Sequence, residues 1–455
     1  MRWLALGLIV GACGHRTPTT AKLPAKEHAE PAPLVGYHAA FALTWRGARI
    51  GSATEELSRL PGDDDGLRFV RREHMVVRRG DALVPLKTTI TIATDAALTA
   101  RDVSVTRISG ADETRGSARR DADGSWRVWF GDEPPRRING SAVPAELLGM
   151  LVAMKPARTW KGTAFLPGWG FAVANVDVAP DSNAPGSVVA TVHTPLGDLA
   201  SEIALADDGT VNEVDGADGM GARRVDRAQL EAPFDPPELV DGTTIPLTGS
   251  LPDRGEVAIA IDGIGRPAPP SLPGQELVIE TPTSWHMVLG AGSSGPKPPP
   301  VTEVPQRYRE LAAQIIGAPG STLGEVAALA AATPSLIDGD LSAPGTTADA
   351  ALALGRGDCT AHAILFATLA AARGIPTRLV TGFRIDGDHM VRHRWVIAWL
   401  GDRWMAVDPT FGEAPAQPRL IGLAVHGASA AELAVVDTVA FAGLHDAHAR
   451  LLPWR

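Results

Sequence analysis

The sequence predicts an α+β protein in which a helix packs on an antiparallel sheet in the C-terminal part, preceded by a largely antiparallel β domain. Three observations carry this. Residues 359–373 are mostly Ala, Leu, Ile and Phe, bounded by Gly357-Asp358 on one side and Gly374-Ile375-Pro376 on the other. Composition and punctuation of that kind belong to a buried helix. Residues 393–400 and 404–407 are rich in Trp, Val and Ile and are separated by a short turn at Gly401-Asp402, the pattern of a hairpin. Between Val35 and Asp226 short alternating runs are divided by turns such as Pro61-Gly62-Asp63 and Ala122-Asp123-Gly124.

The helix explains why its first residues matter. Asp358 is a suitable N-cap, and Cys359 then falls in the first turn. Unpaired backbone N–H groups and the helix dipole favour a thiolate there. The same N–H groups are expected to be available to an oxyanion. Gly374 ends the helix and Pro376 prevents its return.

The hairpin fixes which side chains share a face. With Gly401-Asp402 as a two-residue loop, Leu400 faces Arg403 and Trp395 faces Asp408. His393 has the parity of Trp395, so it lies on the face of Asp408, one diagonal step away. Such a step is about 7 Å between backbones, a gap that an imidazole and a carboxylate bridge. A loop with one residue more or fewer would put the two on opposite faces. Cys359, His393 and Asp408 therefore supply the three roles of nucleophilic catalysis: attacking thiol, proton carrier and orienting carboxylate. Asp358, His362 and Trp395 are expected around them. Cys359-x2-His362 and His389-x3-His393 also have zinc-like spacing. But His389 and His393 read as strand residues separated by about 13 Å, so no metal is expected.

The run G-D-C-T-A-H-A-I-L-F-A-T-L-A-A-A-R-G-I-P-T-R-L-V-T-G resembles the nucleophile helix of the bacterial transglutaminase-like superfamily. H-R-W-V-I-A-W-L followed by W-M-A-V-D-P-T-F-G-E resembles its His and Asp strands, in the same order. The resemblance covers about residues 305–425. It implies a papain-like core, chemistry through a Cys359 thioester, a peptide or protein amide as substrate, and no cofactor. Two departures are visible. Ala361 stands where many relatives carry Glu, and Ala416-Gln417-Pro418-Arg419 stands where a polar run is usual.

The remaining chain places this core. At 455 residues the length suggests about three domains. A hydrophobic fraction of 45% beside 21% charged residues is that of a globular protein with a sizeable core. The formal net charge of −10 argues against nucleic acid as an electrostatic partner. Residues 1–12 read as a signal peptide with Arg2 before a short apolar run. Val10-Gly11-Ala12-Cys13 resembles a bacterial lipobox, which implies lipidation at Cys13. The implied location is the cell envelope, with the periplasmic face of the outer membrane as the default. Cys359 then has no partner cysteine. Residues 13–34 read as a tether, 35–226 as the β domain and 227–289 as a small connecting β segment. Residues 290–300 read as a linker and 301–455 as the transglutaminase-like domain. Within the β domain Pro144 to Met154 is expected to be helical. Arg71-Arg72 and Arg119-Arg120 are expected on solvated strand faces, with no titratable cluster in that domain. Leu433 to Phe441 reads as strand-like.

Taken together these readings favour an exported lipoprotein with a Cys-His-Asp triad, touching the membrane through its lipid anchor. The alternative is an envelope binding or structural lipoprotein that keeps the fold without turnover.

Overall fold

The computed structural model describes residues 35–453, apart from 64, 110–111, 156, 195–196, 207, 217–218, 240, 253–254, 291–294, 302, 319 and 344–346. The signal segment, Cys13 and the tether lie outside the described residues. The architecture is mixed α+β, and the chain divides into two compact units. One holds residues 35–77 and 83–237, the other 78–82 and everything from Glu238 onward.

The first unit is strand-rich, as the alternating pattern requires. In Trp126–Phe130 the residues Trp126, Val128 and Phe130 are buried while Arg127 and Trp129 point outward. Fifteen strands form one sheet made of two meanders, each running in sequence order. The meanders join where His38–Trp45 pairs antiparallel with Met220–Arg224, Phe41 opposite Arg224. The expected helix after Val143 is present as a 3-10 turn, Ala145–Leu147, continued by the α-helix Leu148–Ala153. Arg119 is solvated as expected, but Arg71 is not: it is 9% exposed and points into the interior with Glu73. The strand's alternation places both on the inner face. The expected absence of a titratable cluster in this domain is corrected accordingly.

The second unit combines helices with a nine-stranded sheet. Its strands run in the order Gln275–Thr281, Ser284–Leu289, Val257–Asp262, His448–Leu451, Ile245–Thr248, His389–Trp399, Thr377–Asp386 and Leu420–His426. Trp404–Val407 pairs beside His389–Trp399. The strands within 227–289 thus belong to the same sheet as His393. The compact-unit boundary falls at 237/238, ahead of the 290–300 stretch read as a linker. The cause is pairing: Ile245 lies opposite Met390, and Leu247 beside Ala449. Leu433 to Phe441 is also corrected, because Ala430–Val439 is a helix. Ser429 caps it by accepting from the Glu432 N–H, and its Leu433, Val436 and Val439 recur at helical spacing.

The central element is the helix Cys359–Ala372. It is buried all round, with Ala361, Leu365, Phe366 and Leu369 among its core residues. Its small side chains let it lie against Leu379, Val396, Ala398 and Val407 of the sheet. It ends in a Schellman motif, in which Gly374 (φ 73°) donates to Ala371 and Ile375 donates to Ala370.

Candidate active site

Asp358 sets the start of the helix. Its backbone is extended and its Oδ1 accepts from the N–H of Thr360 at 2.9 Å and of Ala361 at 3.2 Å. The helix can therefore begin at Cys359, whose side chain is partly exposed while Asp358 and Thr360 are buried. The cap also corrects one expectation. The Thr360 and Ala361 donors are already used, and the His362 N–H donates to the Asp358 carbonyl. Of these first-turn donors, the Cys359 N–H is the one for which the described residues supply no acceptor.

His362 is part of this brace. Its Nδ1 lies 2.9 Å from the Asp358 carbonyl oxygen and its Nε2 3.2 Å from that of Ile337. Both ring nitrogens thus face backbone, and the residue holds the helix start to the preceding loop. His389 is on the surface with Nδ1 2.9 Å from its neighbour Asp388. Among the described residues no group of three or more His, Cys, Asp and Glu side chains is arranged to hold a metal ion.

The hairpin brings His393 and Asp408 together. Val396 faces Val407, Trp399 faces Trp404, and Leu400 donates to the Arg403 carbonyl. This register carries Asp408 to the position opposite Trp395. His393 Nε2 lies 2.9 Å from Asp408 Oδ2, with His393 7% exposed and Asp408 fully buried. Asp408 takes up Nε2 and not Nδ1, and His393 lies close enough to the Cys359 thiol to act on it. Burial alone pushes that thiol up, but the hydrogen bond and positive charge of His393 outweigh it, and the net direction is down. For His393, burial acts against the charged form. The Asp408 carboxylate more than offsets this and raises the imidazole well above its ordinary value. Both shifts run in the direction of the charged forms, the thiol downward and the imidazole upward.

Several supporting residues were not singled out in the sequence. Arg384 Nη1 donates to Asp408 Oδ2 at 2.7 Å, and its fork also holds Glu413 at 3.1 and 3.3 Å. Glu413 and Asp408 exchange backbone hydrogen bonds, which closes the turn after the Asp strand. Arg394 Nη1 donates to Thr360 Oγ1 at 3.0 Å, its Nε donates to Thr381 Oγ1 at 2.9 Å, and its Nη2 pairs with Asp437. One guanidinium thereby ties the strand of His393 to the first turn of the helix that begins at Cys359. Trp395, which the sequence did place near the site, stacks nearly parallel to the His393 ring, 16° and 6.2 Å away. Phe411, 55% exposed, lies 5.9 Å from that ring and beneath the Arg384 guanidinium at 3.9 Å. Gly382, opposite His393, allows a close approach: a Cβ there would sit 1.9 Å from the Ile421 carbonyl oxygen.

The stretch that carries Cys359, His393 and Asp408 matches the profile of the transglutaminase-like superfamily over residues 309–409. Residues 309–409 are a transglutaminase-like domain. Three solved structures are similar to parts of the chain. A β-barrel-like protein of a domain family of unknown function from Brucella abortus shares 16% identity, with a TM-score of 0.33, over 41% of this chain and 95% of its own. A candidate cysteine protease from Cytophaga hutchinsonii shares 14%, with a TM-score of 0.26, over 43% of this chain and 85% of its own. A protein of another family of unknown function, from Pseudomonas aeruginosa, shares 13%, with a TM-score of 0.24, over 43% and 95%. No curated protein matches this chain.

Proposed function

We propose that the transglutaminase-like domain is a papain-like cysteine amidase or acyltransferase with Cys359, His393 and Asp408 as its catalytic triad. The observation that carries this reading is His393, held through Nε2 by a buried Asp408 beside a thiol at a helix start. The Cys359 thiolate attacks the carbonyl carbon of a peptide or protein amide, and the Cys359 N–H serves as a donor to the resulting oxyanion. His393 gives its Nδ1 proton to the departing amine, the C–N bond breaks, and a thioester remains. Water or a second amine then attacks, His393 takes its proton, and the thiolate leaves. Asp408 stays ionised and keeps the imidazole oriented. A cleft of about 600 Å³ is lined by Trp395, Ile397, Trp404 and Gln417. It adjoins His393 through Trp395 and is a suitable seat for a substrate side chain.

The proposal includes export and anchoring through lipid at Cys13, so that the protein acts in the cell envelope. Cys13→Ser then moves the protein from the membrane to the soluble fraction. The catalytic reading is tested by alkylation of Cys359 with iodoacetamide and by turnover of peptide amides, with Cys359→Ala and His393→Ala as comparisons. Reaction well below pH 8 that slows in His393→Ala supports the triad. Ordinary thiol pH dependence in both proteins, with no turnover above Cys359→Ala, would favour a binding lipoprotein instead.

A further inference from the structure

The strand-rich unit has a polar centre of its own, unrelated to the triad. Arg71 Nε donates to Glu73 Oε1 at 2.7 Å, and Arg71 Nη1 pairs with Glu55 Oε1. The Tyr37 hydroxyl donates to the other Glu55 oxygen at 2.9 Å. Glu146 joins them from the first helical turn after the short strand Val143–Pro144. Its two carboxylate oxygens are sealed from solvent, and neither has a hydrogen-bond partner on another residue. Three carboxyl groups thus surround one guanidinium that two of them already occupy. The other guanidinium nearby, Arg224, uses its Nη1 on Thr210 Oγ1 at 2.9 Å.

These groups form one side of a cavity of about 100 Å³. Glu55, Arg71 and Glu146 line it together with apolar side chains such as Met150, Val188 and Ile203. The space exceeds that of a single water several times over, so it has room for a short chain. A buried carboxylate without a partner calls for a cation or a proton. A carboxylate ligand would be repelled by the excess of negative groups. A neutral ligand would fill the apolar part and give the Glu146 carboxylate no cation.

We propose that this cavity is a binding site for a short alkylammonium group, its protonated amine on Glu146 and its aliphatic chain along the apolar walls. The site is independent of Cys359 and holds whether or not the triad turns over.

The test uses the full chain and three probes of equal length: hexylamine, hexanol and hexanoate, titrated by calorimetry at pH 9, where Glu146 is mostly ionised and the amine keeps its proton. Hexylamine is expected to bind saturably at one site, roughly tenfold or more tighter than hexanol, with hexanoate weakest. Glu146→Gln is expected to reduce hexylamine binding to the level of hexanol while the melting temperature of the free protein holds or rises. Failure of hexylamine to bind, equal binding of hexanol and hexylamine, a preference for hexanoate, or unchanged binding in Glu146→Gln would each overturn the proposal. If Glu146→Gln does not fold, the three-probe comparison on the unaltered protein decides alone.

Discussion

Arg384 donates to the same carboxylate oxygen of Asp408 that faces His393 Nε2, at 2.7 Å against 2.9 Å. One buried oxygen therefore serves two partners, and the guanidinium keeps Asp408 ionised while the imidazole draws on its charge. Burial pushes Asp408 up, but the positive His393 and Arg384 hold it below its ordinary value.

Replacing Arg384 by Gln removes one of the two cations from a buried carboxylate. Asp408 should then protonate at higher pH, so the acid limb of kcat/KM shifts upward. The melting temperature should fall too, since breaking one side of a buried pair costs about 3–5 kcal/mol. Asp408→Asn should lose roughly 10²–10⁴-fold in turnover. It should also melt earlier, because Arg384 loses its charged partner. An acid limb that stays in place in Arg384→Gln would show that Arg384 only supports the fold.

Asp358 acts on Cys359 in two ways of opposite consequence. Its cap starts the helix, and its negative charge works against thiolate formation. Asp358→Asn keeps a capping oxygen and removes the charge, so Cys359 should be alkylated faster at pH 6. Asp358→Ala also loses the cap, at a cost near 1 kcal/mol. An alkylation rate at pH 6 that does not rise in Asp358→Asn would mean that its charge is not felt at the sulfur.

Phe411 presents an exposed ring beside His393 and under Arg384. Its place beside His393, more than its exposure, makes it available to a substrate. Phe411→Ala should raise KM roughly threefold to tenfold with kcat little changed, the mark of binding energy shared by ground and transition states. The melting temperature should barely move. A large fall in melting temperature with unchanged KM would assign the ring to the fold.

Glu146 gives the strand-rich unit a pH dependence. Burial raises its carboxyl from the ordinary 4.5 to about 8 in the folded protein. The folded state therefore holds this proton more tightly than the unfolded chain. The stabilisation from that group is complete below about pH 4.5 and is lost as pH climbs through about 8. Glu146→Gln should flatten the melting temperature across this interval. An equally steep dependence in the variant would mean that another group is responsible.

The places of Cys359, His393 and Asp408 in their elements were legible because they follow from parity and punctuation. The Gly401-Asp402 turn and strand alternation were enough to bring Asp408 to His393, and the Asp358 cap placed Cys359. Arg384 was legible by the same rule and was missed. Gly387-Asp388 is also a two-residue turn, which puts Asp386 opposite His389 and Gly382 opposite His393. Arg384, two residues from Gly382, then shares the face of His393. Arg394 could not be read this way, since its partners Thr360 and Asp437 come from helices whose packing depends on tertiary contacts. The same limit applies to Glu146, which meets Arg71 and Glu55 only when distant parts of one sheet close around it. The run near Leu433 was misread because a short apolar stretch has no decisive period, and Ser429 was not recognised as its cap.

The seam between His38–Trp45 and Met220–Arg224 sets an order of events during synthesis. The opening strand of the first unit has one neighbour available early and acquires the other only after nearly the whole unit has left the ribosome. Until then it is an edge with unpaired backbone groups, open to pairing with a strand from another chain. Contacts between residues so far apart in sequence also slow closure. The folding-competent interval of this unit therefore begins late, and a chaperone that shields the first strand should raise its yield more than one acting on any later strand.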